Sequence, residues 1–178
     1  HGTYLPLQGI PYIINAAKIL EAEAVEFNII GQMSTYGEAL ALCRQLNVKN
    51  INFIERVPYE KLGEYMAQAD VCLGFFGATG KALRCSAFKV VEAIAVARPI
   101  ITGDTPAMRE IFIDRENCLF TKMMDAEDLA GKILELKNDR GLREKITKNG
   151  YQTYLKHFTP KAIGAELKKI FEELLVGK

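Results

Sequence analysis

The sequence predicts an α/β fold, a parallel sheet with helices on both faces followed by a helical C-terminal tail. Three observations predict it. Short β-like runs alternate with helical patterns from the opening residues to Phe120. Those runs are short and apolar, as strands covered on both faces are. After Asn117-Cys-Leu-Phe120 the pattern changes to helices alone. Alternating strand and helix units of this kind make a Rossmann-like layered domain.

The elements follow in order. Ile10, Ile13, Ile14, Ala17 and Leu20 recur at helical spacing after Gly9, and Phe27-Asn-Ile-Ile-Gly31 is a strand closed by a glycine. Ala39, Leu42, Cys43 and Leu46 mark a helix over Tyr36–Leu46, and Ile51-Asn-Phe-Ile54 is the next strand. Pro58 suits the first position of the helix after it. Asp70-Val-Cys-Leu-Gly-Phe75 is a strand, a helix spans roughly Ala87–Ala97, and Pro99-Ile-Ile-Thr102 is a strand ending in a turn at Gly103-Asp-Thr-Pro106. Asp125, with Asp128 three residues on, marks the capped start of a helix carrying Leu129, Ile133 and Leu136. A second tail helix runs from about Asp139 to Lys156. Thr159 caps a third, with Pro160 at its first position and Ile163, Leu167, Ile170, Phe171 and Leu174 on one face. No linker or internal repeat divides the chain, so residues 1–178 are read as one domain. The abrupt opening at His1 suggests a fragment.

Composition narrows the function. With 23 Lys+Arg against 22 Asp+Glu the net charge is +1, so no nucleic-acid partner is expected. The longest apolar stretch, Val90 to Ala97, is interrupted by Glu92. It falls far short of the roughly 18 residues of a membrane span. Cys43, Cys72, Cys85 and Cys118 lie 29, 13 and 33 positions apart with no histidine close to any of them. Neither a metal site nor a disulfide framework is expected, and a cytoplasmic location is.

Open parallel sheets bind ligands beyond the carboxyl ends of their strands. That directs attention to the loops at 3–9, 31–36, 55–58, 74–86 and 102–108. The most unusual is Gly74-Phe-Phe-Gly77-Ala-Thr-Gly80-Lys81-Ala-Leu-Arg84-Cys-Ser-Ala-Phe-Lys89. Its glycines let backbone approach a ligand, and Lys81, Arg84 and Lys89 place three cations in nine residues with no acid among them. Scattered exposed cations also make an ordinary solvated face; the loop's position favours phosphate. Glu92 stands in the apolar helix start Val90-Val-Glu-Ala-Ile94. Two readings are open for it: stabilisation by the helix dipole, or acceptance of hydrogen bonds from sugar hydroxyls. His157, Glu110, Asp104 and the pairs Lys168-Lys169 and Glu172-Glu173 suit ordinary helix-end, turn and surface roles.

The run Lys89-Val-Val-Glu92-Ala-Ile-Ala-Val-Ala-Arg-Pro99-Ile-Ile-Thr-Gly-Asp-Thr-Pro-Ala-Met-Arg-Glu110 resembles the signature of the family 4 (group 1) glycosyltransferases. Gly2-Thr-Tyr-Leu-Pro-Leu-Gln-Gly9, Phe27-Asn-Ile-Ile-Gly31, Asn52-Phe-Ile-Glu-Arg-Val57-Pro58 and Asn117-Cys-Leu-Phe120 follow in that family's order and spacing. The resemblance covers essentially the whole chain. It implies the C-terminal, donor-binding half of a GT-B enzyme, with a facing N-terminal acceptor-binding half outside this chain. The implied ligand is a nucleoside-diphosphate sugar, as donor substrate rather than cofactor. The implied acceptor is a glycan or lipid-linked sugar held by the other half. Cell-envelope or polysaccharide biosynthesis is the implied setting, with peripheral attachment of the intact protein to a membrane left open.

Carried over by position, Glu92 matches the second glutamate of the family's E-x7-E motif, which holds ribose hydroxyls. Arg56 and Val57 match the segment flanking the nucleobase. Gly2 and Thr3 match the loop near the diphosphate, and Thr105 lies in a further loop near the cleft. Gly77 and Gly80 belong to the loop carrying Lys81, Arg84 and Lys89, which are expected to stabilise phosphate and the leaving group. The chain departs from the family in having Arg84 eight positions before Glu92, where the motif's first glutamate stands, and in lacking the opening loop's usual cations around Thr3 and Gln8. A guanidinium there suits phosphate or an acidic sugar. The alternatives are a GT-B-fold epimerase or phosphorylase-like enzyme, and a binding domain without transfer activity.

Overall fold

The computed structural model describes residues 1–31 and 36–176. Residues 32–35 of the loop expected at 31–36 lie outside the described residues. The element order is α1 (Ile10–Ile19), β1 (Phe27–Ile30), α2 (Tyr36–Leu46), β2 (Ile51–Ile54), α3 (Tyr59–Gln68), β3 (Cys72–Leu73), α4 (Phe88–Ala95), β4 (Ile100–Gly103), α5 (Pro106–Arg109), β5 (Leu119–Thr121), α6 (Ala126–Asn138), α7 (Arg140–His157) and α8 (Pro160–Val176). All strand pairings are parallel. They form two ladders, β1–β2 and β3–β4–β5.

The pleat sends neighbouring residues to opposite faces, and the core follows that rule. Ile101 and Leu119 pack among α1, α6 and α7, against Ile13, Ile14, Leu129 and Ile146. Their neighbours Ile100 and Phe120 pack on the other face, against Val90, Ala93 and Ile94 of α4. Ile100, Ile101 and Leu119 are fully buried, each contributing about 1.5–3 kcal/mol of hydrophobic stabilisation. Helices therefore cover both faces, as the apolar strands require.

Caps set the helix starts. Asp125, Asp139 and Thr105 each accept the backbone N–H three residues on, at 2.9, 2.8 and 3.3 Å. Thr159 does the same for Ala162.

Three expectations are corrected. β3 is two residues long, because Gly74 packs on Thr102 and the Gly103 N–H bonds to the Phe75 carbonyl out of regular register. Pro58 is the residue before α3 rather than its first residue. Asn117 precedes β5 and works as a bracket, accepting from the Ile113 N–H at 2.7 Å and donating to Thr153 on α7 at 2.9 Å. The apolar stripe of α8 forms as the spacing predicts but faces outward, Ile170 being 43% and Leu174 65% exposed.

Candidate functional site

The site is assembled from backbone first. Gly2 donates its N–H to the Ile30 carbonyl at the end of β1, at 2.9 Å. Gly31, at φ 130°, lets the Gly2 carbonyl pass where a side chain would collide with it. The opening loop is closed by Gln8, which is buried and accepts the Tyr4 N–H at 2.9 Å. Gln8, where the family's cations are absent, thus shapes the loop from inside. The loop is joined to the one after β3 by Phe76 and Gly77, whose N–H groups donate to Gln8 and Leu7 carbonyls at 3.3 and 3.0 Å. A Cβ on Gly77 would overlap the Pro6 carbonyl, so this glycine serves close approach of two loops.

These contacts open a cavity of about 680 Å³ lined by His1, Gly2, Thr3, Arg56, Val57 and Tyr59, among others. Four residues expected from sequence are therefore brought together. Glu92 stands behind them on α4. The Tyr59 hydroxyl donates to its Oε1 at 3.0 Å, and His1 Nε2 lies 3.3 Å from its Oε2. Glu92 is the fifth residue of α4, past the first turn where a helix dipole acts most strongly. The His1 imidazole, then the Tyr59 hydroxyl, hold its carboxyl below the usual carboxylate range, against desolvation. The same hydrogen bond pushes the Tyr59 phenol up. Each carboxylate oxygen has a second lone-pair direction, so Glu92 retains capacity for ligand hydroxyls.

The three cations are placed unequally. Lys89 is half-buried on the first turn of α4, and desolvation pushes it down to about 8 despite the opposing pull of Glu92. Lys81, just before the 3-10 turn Ala82–Arg84, and Arg84, at its end, are exposed, and the Ala82 N–H that opens the turn donates to the Thr79 hydroxyl at 3.1 Å. Among the described residues none of the three has an ion-pair partner within 4 Å. Gly80 is open beside Arg84. Thr105 is buried, with its hydroxyl committed to the Met108 N–H as the α5 cap, so its side chain does not reach the cleft as expected. Asp104 pairs with Arg109 at 2.5 and 2.7 Å.

Sequence reasoning missed Tyr59 and His1. An exposed aromatic at a helix start carries no periodic signal, and its contact with Glu92 spans 33 positions.

The family model described as "Glycosyl transferases group 1" matches residues 2–153. The chain belongs to this family. An uncharacterised glycosyltransferase of Methanocaldococcus jannaschii is 25% identical over 173 residues, covering 97% of this chain and 47% of the relative. The chain therefore spans about half the length of that relative. Among solved structures, Anabaena HepE in complex with UDP-glucose superposes with a TM-score of 0.82 at 16% identity, over 97% of this chain and 47% of that one. The C-terminal domain of a group 1 family glycosyl transferase from Francisella tularensis superposes with a TM-score of 0.74 at 19% identity, over 90% of this chain and 84% of that one. These likenesses show the fold. Among the described residues no helix is long and apolar enough to cross a membrane, and no three His, Cys, Asp or Glu side chains are grouped as metal ligands.

Proposed function

We propose that residues 1–178 are the single nucleotide-sugar-binding domain of a glycosyltransferase whose acceptor-binding half precedes them. The observation that carries this reading is the gathering of Gly2, Thr3, Arg56 and Val57 around one cavity with Glu92 fixed behind it. Glu92 accepts from the ribose hydroxyls, and the 56–57 backbone flanks the base. The diphosphate meets Lys89 and the glycine-rich loop bearing Lys81 and Arg84. In the intact enzyme the bond from the sugar's anomeric carbon to the β-phosphate oxygen breaks as the bond to the acceptor oxygen forms. Negative charge then collects on the departing diphosphate, where cations and loop amides stabilise it. The donor is a substrate and no separate cofactor is invoked. The acceptor is a glycan or a lipid-linked sugar. We place the enzyme in the cytoplasm, peripheral to the membrane in the intact protein, in cell-envelope or polysaccharide synthesis.

Arg84, standing where the family has a glutamate, favours a second reading of a domain that binds sugar nucleotides without transferring them. Thermal shift with UDP-, GDP- and ADP-sugars tests the binding shared by both. One base at about ten times its Kd should raise Tm by roughly 3–6 °C. No shift with any of them at millimolar concentration contradicts the proposal. Transfer by the intact protein separates the two readings.

A further inference from the structure

Six described residues other than glycine have a positive φ: Tyr4, Ala24, Asn47, Ala97, Arg115 and Met124. Asn47 and Ala97 follow α2 and α4, where a left-handed residue is an ordinary ending. Ala24, Arg115 and Met124 lie in turns. Tyr4 is different. It stands at φ 56° outside any helix end or turn, and it alone of the six is buried, at 1% exposure. A bulky side chain is strained in that region, and such strain persists where the surrounding structure imposes it, above all beside functional sites.

Backbone and ring are each held. The Tyr4 N–H donates to Oε1 of the buried Gln8 at 2.9 Å. The ring lies in the core with Ile13, Ile14 and Ala39. It meets Tyr36, the first residue of α2, edge to face, with centroids 5.6 Å apart at 81°. Tyr36 meets Phe53 of β2 in the same way, at 5.8 Å and 89°. Edge-to-face pairs keep a preferred separation, so the three rings act as a spacer. One end of the spacer is the opening loop. The other is β2, three residues before Arg56.

The consequence falls on the neighbouring residue. Thr3 is exposed and lines the cavity of about 680 Å³ together with Arg56 and Val57. Among the described residues no group accepts its N–H. Gly2 on one side is pinned by its bond to the Ile30 carbonyl, and Tyr4 on the other by its buried ring. We propose that Tyr4 is a positioning residue for the ligand: its left-handed backbone and buried ring hold the Thr3 N–H and hydroxyl at the cavity, at a set distance from the 56–57 segment. This role rests on the nucleotide reading above, with the diphosphate at the opening loop and the base at residues 56–57. The Thr3 N–H and hydroxyl then donate to a diphosphate oxygen. Tyr4 touches no ligand and acts through Thr3.

The test is calorimetry on the full-length protein with UDP, GDP and ADP, each beside its own nucleoside, in wild type, Tyr4→Phe and Tyr4→Asn. Phenylalanine keeps the ring, whereas asparagine tolerates the left-handed backbone and removes the ring. Tyr4→Phe should retain the wild-type preference for diphosphate over nucleoside to within about twofold. Tyr4→Asn should lose about fivefold or more of that preference, with nucleoside Kd unchanged. The loss should be the same at low and high salt, because contacts from an amide and a hydroxyl are not screened as exposed charges are. Should Tyr4→Asn fail to fold, Gln8→Met removes the acceptor of the Tyr4 N–H, leaves the ring in place and should lose about threefold. An undiminished preference in the folded variant, or equal weakening of both ligands, overturns the role of Tyr4 alone. Wild type that binds no nucleoside diphosphate overturns the nucleotide reading with it.

Discussion

At the corner formed by the opening loop and residues 56–59, the key carboxylate is already held. Glu92 has the Tyr59 hydroxyl at 3.0 Å and the His1 imidazole at 3.3 Å, with its side chain 19% exposed. On the loop between β3 and α4 the charges are free, for Lys81 and Arg84 are exposed and no carboxylate lies within ion-pair distance among the described residues. The contrast matches what each part of a sugar nucleotide asks of a site. Sugar hydroxyls are recognised by direction, which needs an acceptor fixed in place. A diphosphate is recognised by charge, which long side chains supply on arrival. The first corner should therefore bind with little response to salt and the second with a strong one, since exposed charges are screened.

For the nucleoside, the largest effect is expected at the fixed corner. Glu92→Gln keeps the shape and an acceptor for Tyr59 but removes the charge. It should weaken nucleoside binding by about 1–3 kcal/mol, read by calorimetry, with Tm nearly unchanged. Equal affinity in wild type and variant returns Glu92 to a purely structural role.

A smaller effect divides the corners by pH. Lys89, pushed down to about 8 by burial, loses its proton as pH rises through that value. Diphosphate affinity should fall between pH 7 and 9.5 while nucleoside affinity stays level. A bound anion favours the charged lysine, so binding near pH 8 should take up protons, measurable as a buffer-dependent enthalpy. A flat diphosphate profile places Lys89 outside the phosphate site.

The smallest effect is at Tyr59, whose ring is 72% exposed. Tyr59→Phe removes one hydrogen bond from Glu92 and should weaken nucleoside binding by about 0.5–1 kcal/mol. The Glu92 carboxyl should titrate at higher pH in the variant, which carbon-detected NMR reads directly. An unmoved titration means that Tyr59 does not hold the carboxylate.

The same contrast shows what the sequence could reveal. Local chemistry was legible: Asp125, Asp139 and Thr159 announce their helices by type and spacing, and β1, β2 and β4 show as short apolar runs closed by glycine or turn residues. The positions of Glu92, Arg56 and Val57 followed from a motif whose order survives in one chain. What depends on contacts distant in sequence was not legible. β3 shrinks because Gly74 meets Thr102, Thr105 turns inward because its hydroxyl caps α5, and Tyr59 reaches Glu92 across two loops. The stripe on α8 was legible as a pattern, but periodicity reports that a face is apolar and not whether anything covers it.

The central claim is that a nucleoside is held at the Glu92 corner and its diphosphate by the cationic loop. Calorimetry of a nucleoside and its diphosphate, at low and high salt, tests it most directly on this chain and on Arg84→Ala. The diphosphate should bind more tightly than the nucleoside, with the difference growing as salt is lowered. Arg84→Ala should remove most of that difference, about 1.5–3 kcal/mol before screening, and leave the nucleoside unaffected. Equal binding of the two ligands at low salt, or an undiminished difference in Arg84→Ala, would contradict the account.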